Sequence, residues 1–368
     1  MMADNIQEAA KKAVAQFFES GKIVSMENYG SGHINSTFLL KEADGKRYIL
    51  QKINTDIFKN PDELMDNIKN VTEYLRKTII ANGGDPERET LNIIPTTTGA
   101  SYYKDSEGNC FRVYKFVEAA ICYDAVEKPE DFYESAVAFG NFQRLLAGYP
   151  ASTLHETIPR FHDTWKRFQD LENSVSKDVC GRAVEVQKEI AFVREHAELA
   201  KMLGQMQESG ELPLRVTHND TKLNNIMMDE KTGRGICVID LDTVMPGLAA
   251  NDFGDSIRFG ANTAAEDETD LSKVSCSLDL FELYTKGFIE GLAGSLTEKE
   301  IEMLPIGAMV MTFECGIRFL ADYLDGDIYF KIHKEKHNLD RARCQFALVK
   351  DMEEKKDALD AIVGRYSN

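Results

Sequence analysis

Asp220, Lys222, Asn225 and Asp240 put a carboxylate, an ammonium, a carboxamide and a second carboxylate within a short stretch of the chain. Each has a use in one reaction. An unhindered carboxylate can hold a hydroxyl in line with an electrophile and take its proton late in the attack. An amide carbonyl and a second carboxylate are hard oxygen donors of the kind Mg²⁺ prefers. An ammonium two residues past the first carboxylate can meet the charge on a phosphoryl group in transit. The chemistry that uses all of them is transfer of a phosphoryl group to an alcohol.

The spacing supports that reading. In His218-Asn219-Asp220-Thr221-Lys222-Leu223-Asn224-Asn225, the order H-x-D-x-x-x-x-N is that of kinase catalytic loops. Alone, it could be an Asn/Asp-rich turn following the Pro213 to Val216 strand. The next elements decide between the two. A strand at Ile226 to Met228, a turn at Lys231-Thr232-Gly233 and a strand at Gly235 to Ile239 form a short hairpin, and its ends hold Asn225 and Asp240 side by side. Asn225 and Asp240 are therefore the candidate metal ligands, with Asp242 a second or water-mediated contact. Asp220 is the candidate base and Lys222 the candidate phosphoryl contact. His218 reads as a brace for the loop.

The first third of the chain supplies elements suited to covering a nucleotide. Lys22 to Tyr29 reads as extended, Gly30-Ser31-Gly32-His33-Ile34-Asn35 as a turn, and Thr37 to Lys41 and Tyr48 to Ile53 as strands joined by an Asp44-Gly45 hairpin. The turn resembles a phosphate-covering glycine loop with Asn35 in place of a third glycine. Gly30, Ser31, Gly32 and Lys52 are the expected phosphate contacts. An ordinary β-turn and a solvent-facing lysine are the competing readings. A helix follows, capped by Asn60 with Pro61 in its first turn and Leu64, Ile68, Val71 and Leu75 on its apolar face. Glu63 is committed to the cap, and Asp66 and Glu73 fall opposite the apolar face, so Lys52 has no assigned carboxylate partner. Strands at Asn92 to Thr96, Ala100 to Lys104 and Cys110 to Val117 complete a β-rich unit, residues 1–117. Phe116 and Val117 open a short hinge and are expected to border the nucleotide. The remainder, 118–368, is mainly helical, with long helices expected from Pro129, across Val186 to Leu203, and over Leu271 to Gly291, Glu298 to Leu324 and Asp340 to Val363.

Composition excludes several classes. A formal charge of −18 does not suit a protein that coats duplex nucleic acid or an anionic membrane. Seven cysteines without a C-x-x-C pair suit reduced thiols in a cytoplasm. No signal-peptide core is visible, and no stretch approaches the roughly 18 apolar residues of a membrane span. His333 and His337, four apart, could bind Zn²⁺ on a helix, but the flanking lysines and the lack of a further ligand favour a solvated segment.

Taken together, Gly30 to Asn35, Thr217 to Asn225 and Val238 to Gly247 resemble the aminoglycoside phosphotransferase and choline kinase superfamily, and within it most closely the N-acetylhexosamine 1-kinases. The similarity extends to Asp252-Phe-Gly-Asp255-Ser-Ile-Arg258 and to Gly316 through Phe330. It implies an α+β, two-lobed protein-kinase-like fold with a β-rich N-lobe carrying one helix and a larger, mainly helical C-lobe. It further implies a cytoplasmic monomer that uses ATP and Mg²⁺ to phosphorylate a small sugar acceptor, N-acetylglucosamine or N-acetylgalactosamine, at the anomeric hydroxyl. His33, Asp220, Arg318 and Tyr329 would then face the sugar, and Asp252 and Asp255 would brace the catalytic loop. The alternatives are a kinase of the same fold acting on an aminoglycoside, choline or another hexose, and a non-catalytic pseudokinase.

Overall fold

The computed structural model describes residues 2–30, 34–123, 126 and 128–367. The chain is an α+β protein of two lobes. Its N-terminal part contains α1 (Met2–Phe17), β1 (Ile23–Asn28), β2 (Ser36–Glu42), β3 (Arg47–Ile53), α2 (Pro61–Ala81), β4 (Ile93–Ile94), β5 (Tyr103–Lys104) and β6 (Cys110–Lys115). Then come β7 (Ala120–Ile121), α3 (Pro129–Leu145), α4 (Thr164–Lys177), α5 (Gln187–Glu195), α6 (Ala197–Glu208), β8 (Arg215–Thr217), β9 (Ile226–Asp229), β10 (Gly235–Val238) and β11 (Met245–Gly247). The chain closes with α7 (Ala249–Gly260), α8 (Leu278–Leu292), α9 (Glu298–Glu302), α10 (Leu304–Asp325), α11 (His337–Glu354) and α12 (Lys356–Tyr366).

The N-lobe sheet is antiparallel in the order β1-β2-β3-β6-β4, with β5 also paired to β6. Side chains alternate across a strand, so its two faces can be read from their partners. Phe38, Leu40, Tyr48, Leu50, Phe111 and Val113 pack with Ala10, Ala13 and Phe17 of α1. Ile53, Cys110 and Tyr114 turn the other way and join α2 in the main core. The alternation on β3 therefore puts Lys52, which pairs with Phe111, on the α1 face and Gln51 on the cleft face. Helix α1 is an addition to the elements read from sequence, and it covers what would otherwise be an exposed apolar sheet face.

Helix α2 and the loop after it each bind to the larger lobe. Asn67 of α2 is buried, donates to the carbonyls of His155 (2.8 Å) and Val244 (3.1 Å), and accepts from the His155 N–H (2.9 Å). Arg88, in the loop after α2, donates to the carbonyls of Glu118 (3.3 Å) and Ala119 (3.1 Å) and pairs with Asp229 of β9 (2.9 Å). Past this point β7 pairs with β9, so the connecting segment is already part of the C-lobe's small sheet, β10-β9-β7.

Several long helices expected from periodicity are broken. The Val186 to Leu203 stretch becomes α5 and α6, interrupted at His196, whose Nδ1 bonds back to the Phe192 carbonyl at 2.7 Å. The Glu298 stretch divides at Met303 into α9 and α10, with Pro305 in the first turn of α10. The Asp340 stretch divides at Lys355, whose ammonium reaches Asp351 and the Cys276 carbonyl (both 2.8 Å). Apolar periodicity survives such breaks because the segments on each side still cover the same core. Helices α4 and α7 were not anticipated. The expectation that no stretch approaches membrane length also needs correction: α10 is long and apolar enough to cross a membrane by composition, and 78% of its apolar window is buried inside the fold.

Helix α7 packs on α10 through facing glycines. A Cβ at Gly254 would lie 2.3 Å from the Gly307 carbonyl oxygen, and one at Gly307 would lie 2.2 Å from that of Ala250. No side chain fits at either place, and the backbones touch. Since α7 carries Asp252 and Asp255, this contact sets their depth. Gly254→Ala is expected to destabilise the protein by at least about 1–3 kcal/mol through overpacking, read as a lower denaturant midpoint. An unchanged midpoint would mean that the helices separate at little cost.

Candidate active site

Much of the candidate catalytic loop is buried, although Asp220 and Lys222 stay partly exposed. Thr217 and His218 are 0% exposed, Thr221 1% and Asn219 5%. Polar groups at such depth need partners, and α7 supplies most of them. The two oxygens of Asp252 accept from the backbone N–H groups of His218 (2.9 Å) and Asn219 (2.8 Å), and Asp255 accepts from that of Thr221 (3.0 Å). Gln143 of α3 donates to Asp252 at 2.8 Å, and the Thr221 hydroxyl donates to the Asp252 carbonyl at 2.6 Å. Asn219 adopts a left-handed φ of 64°, a conformation asparagine tolerates better than most residues. Its side chain donates to the Thr243 carbonyl at 2.8 Å. The His218 ring donates from Nε2 to the Ile239 carbonyl (2.8 Å) and accepts at Nδ1 from the Asp220 N–H (3.3 Å). The ring spans the loop and the β10 exit; it is not presented to a substrate.

This scaffold brings Asp220, Lys222, Asn225 and Asp240 together. Lys222 Nζ lies 2.6 Å from Asp220 Oδ1. Burial works against the ammonium, but the Asp220 and Asp255 carboxylates outweigh it and hold its pKa above the ordinary value. Asn225 Nδ2 donates to the Asp220 carbonyl (2.8 Å) and to Asp220 Oδ2 (3.1 Å). That orientation leaves the Asn225 carboxamide oxygen without a hydrogen bond among the described residues. The Ile239 N–H donates to the Asn225 carbonyl at 2.9 Å, so the hairpin register joins the two strand ends. Asp240 follows with φ 58°, a turn out of the strand that aspartate tolerates better than most residues. Burial, with the Asp242 and Asp220 carboxylates nearby, pushes its pKa up to about 6. Carboxylates crowded at low exposure, beside an amide oxygen with no donor, fit a divalent cation in both charge and donor type.

Asp242 has another task. Its Oδ1 pairs with Arg112 of β6 at 2.5 Å, and its Oδ2 accepts from Asn35 Nδ2 at 2.7 Å. Both members of the ion pair are buried, at 1% exposure for the Arg112 side chain and 4% for Asp242. Arg112 also donates to Gln51 Oε1 (3.0 and 2.8 Å), and Asn35 accepts from the Asn54 N–H (2.9 Å). The residue read as an extra metal contact is thus a clamp joining the end of the glycine loop, β3, β6 and the metal-side turn. Lys52 is not brought to this place. It lies on the α1 face and pairs with no carboxylate among the described residues. A buried cation on the cleft face of the sheet is Arg112, paired with Asp242 and acting on Asp240.

The remaining expectations divide. Gly30 has φ 76°, which suits a tight glycine turn, whereas Ser31, Gly32 and His33 lie outside the described residues. Phe116 and Val117 are buried just after β6, with the Arg47 guanidinium 3.9 Å over the Phe116 ring and the Tyr29 ring against its edge at 5.8 Å. Arg318 of α10 lies among Phe161, Tyr329 and Phe330, 5.4, 5.9 and 5.5 Å from their ring centres. Its guanidinium makes no hydrogen bond or ion pair among the described residues. Asp322, one turn on, accepts from the N–H groups of Ile328 (3.0 Å), Tyr329 (2.8 Å) and Phe330 (3.0 Å) and so holds the aromatic loop beside Arg318. His337, named above as half of a possible Zn²⁺ pair, spends Nδ1 on the His333 N–H (3.1 Å) and Nε2 on Asp267 (3.1 Å).

Arg112, Asn67, Asp322 and the His162–Glu314 pair were not read from sequence. Two had a signal. Arg112 interrupts the apolar Cys110-Phe-Arg112-Val-Tyr strand, and Glu314 sits in the apolar run of α10. A lone charge in such company is buried with a partner more often than it is exposed.

The sequence pattern of the phosphotransferase enzyme family matches residues 25–273 of the chain. Among solved structures, the fold is similar to an aminoglycoside phosphotransferase from Alicyclobacillus acidocaldarius (12% identity, 97% of this chain and 94% of that one, TM-score 0.59). It is also similar to an amicoumacin kinase in complex with AMP-PNP and Ca²⁺ (14%, 95% and 93%, TM-score 0.60). A choline kinase from Cryptosporidium parvum matches at 14% identity over 98% and 97% of the two chains, with a TM-score of 0.56.

Asp242→Asn leaves the Arg112 guanidinium buried without its counter-charge. The variant is expected to lose roughly 3–5 kcal/mol of stability, measured by denaturant unfolding. A loss below about 1 kcal/mol would show that the clamp is solvated in solution.

Proposed function

The chain belongs to the phosphotransferase enzyme family, and from that premise we propose that it is an ATP-dependent anomeric kinase of N-acetylhexosamines, acting on N-acetylglucosamine or N-acetylgalactosamine. The observation that carries the choice of acceptor is Arg318. Its guanidinium, walled by aromatic rings, has five N–H donors and spends none on the described protein. It suits a neutral acceptor rich in hydroxyl and carbonyl oxygens, and it repels the ammonium groups of choline or an aminoglycoside. The aromatic rings suit the apolar face of a sugar. His33, by resemblance, would reach the sugar from the glycine loop.

In this reading the acceptor hydroxyl lies against Asp220, which orients it and takes its proton as the oxygen bonds to the γ-phosphorus and ADP departs. An anomeric hydroxyl is more acidic than an ordinary alcohol, so orientation is the larger share of Asp220's contribution. Lys222, paired with Asp220, meets the phosphoryl oxygens. Gly30, Ser31 and Gly32 would cover the nucleotide phosphates, and Phe116 and Val117 would border its base. The outward placement of Lys52 leaves it without the phosphate contact expected of a β3 lysine. Asn225 and Asp240 would hold Mg²⁺, which when bound screens the phosphate charge. A nucleotide and a divalent cation occupy the amicoumacin kinase of the same fold, consistent with this use of the cleft.

The direct test is ADP release with Mg²⁺ and ATP in the presence of N-acetylglucosamine, N-acetylgalactosamine, glucose, galactose, choline or kanamycin. Turnover of the N-acetyl sugars is expected, and turnover confined to choline or kanamycin refutes the acceptor assignment. Asp220→Asn should lower kcat by roughly 10²–10⁴-fold with little change in ATP affinity; an unchanged kcat removes Asp220 from its role. Mg²⁺ affinity should weaken as the pH falls through about 6, because Asp240 takes up a proton there and a ligand must be deprotonated. Titration calorimetry in buffers of different ionisation enthalpy would register the released proton, and a pH-independent affinity would place the metal elsewhere.

A further inference from the structure

Every polar group of Asn219, the residue preceding Asp220, is held. Its N–H goes to Asp252, its side chain to the Thr243 carbonyl, and its carbonyl to His162. The first two partners belong to α7 and the metal-side turn. His162 comes from a different direction, the segment leading into α4, and its other nitrogen reaches α10.

The ring has an unusual pair of neighbours. Nδ1 is 2.9 Å from Glu314 Oε1 and Nε2 is 3.1 Å from the Asn219 carbonyl oxygen. Both neighbours can only accept when Glu314 is ionised. A neutral imidazole carries one N–H and one lone pair, so one of these contacts would set lone pair against lone pair; an imidazolium satisfies both. Glu314 is buried, and its second oxygen accepts from the Thr164 hydroxyl at 2.7 Å. Burial alone would protonate it, but His162, followed by Arg318, keeps its pKa low. Burial likewise opposes charge on His162, and Glu314 outweighs it, so the ring's pKa stands above the ordinary value. The groups facing the pair are Asp255 of α7 near the ring, Arg318 of α10 and Arg167 of α4 near Glu314, and the Phe161 ring, tilted at 49° with its centre 4.4 Å from that of His162.

We propose that His162 is a positioning residue, held as an imidazolium by Glu314, that fixes the peptide carrying Asp220 and couples it through Glu314 to the acceptor arginine Arg318. The inference rests on the reading of Asp220 as the residue that orients the acceptor. Glu314 and Arg318 stand four residues apart on α10, on one side of the helix. An acceptor that engages Arg318 draws on the same charge that holds His162. Filling of the acceptor site is thereby felt at the base.

Two measurements on the full chain test this. The ¹⁵N shifts of the histidine rings, with His162 assigned by its disappearance in His162→Gln, report protonation without any acceptor. Both nitrogens of His162 are expected to be protonated at pH 7, where a free imidazole with its midpoint of about 6.5 is mostly neutral, and Glu314→Gln should move the loss of the proton to lower pH. In turnover with whichever acceptor the wild type uses, Glu314→Gln should reduce kcat by roughly 100-fold with ATP KM nearly unchanged. Its kcat should decline at lower pH than the wild type's, since the active ring form is the protonated one and is lost as pH rises through its pKa. Glu314→Asp should recover part of the loss. A wild-type ring that is neutral at pH 7 overturns the proposal, as does a Glu314→Gln variant with normal kcat and pH profile and only a lower melting temperature. Should no acceptor be turned over, the assigned function fails, and the ring titration still decides the state of His162.

Discussion

A polar loop sunk in an apolar core must have each N–H and carbonyl answered by protein, and the larger lobe is organised around that requirement. In this loop Thr217, His218, Asn219 and Thr221 are buried and must find their hydrogen bonds within the protein. Two carboxylates on α7 take three of its N–H groups, β11 pairs with β8 on one side, and His218 ties the loop to the exit of β10. The glycine contact between α7 and α10 then sets how deep those carboxylates sit. Apolar packing and loop geometry are in this way one problem.

The same logic explains the clamp between the lobes. A buried guanidinium is tolerated only with a counter-charge, and Asp242 supplies it from the opposite lobe. Asn35 completes the carboxylate's coordination. The cleft therefore has a fixed cation, Arg112, close to Asp240 but not accessible to solvent. With Lys52 facing α1, the cleft wall of the sheet carries Gln51 and Arg112. This differs from the arrangement that motif spacing suggests.

Much of the candidate site's juxtaposition was legible because its residues are local in sequence. Asp220, Lys222 and Asn225 share one loop, and a hairpin short enough to read brings Asp240 beside them. The β-rich beginning and helical remainder were readable from hydrophobic period. What escaped was carried by long-range pairing. Strand alternation alone does not say which face of β3 meets the cleft; that depends on where α1 lies, and its Ala-rich helix gave little signal beside the glycine loop. His162 and Glu314 are 152 residues apart and meet only through tertiary packing. The helix breaks at His196 and Lys355 carry no proline or glycine, whereas the one at Met303 is marked by Pro305 in the first turn of α10.

Helix α2 is fastened to the larger lobe twice, by Asn67 at the His155 and Val244 carbonyls and by Arg88 in its trailing loop. Mechanically it belongs with the helical lobe. The sheet packs on that anchored helix through Ile53, Cys110 and Tyr114, and the Arg112–Asp242 pair ties the sheet itself to the turn after β10. An outward swing of the helix would break the Asn67 bonds and leave the His155 and Val244 carbonyls without them. A rearrangement that keeps α2 in place keeps these bonds, and one that displaces it must first give them up.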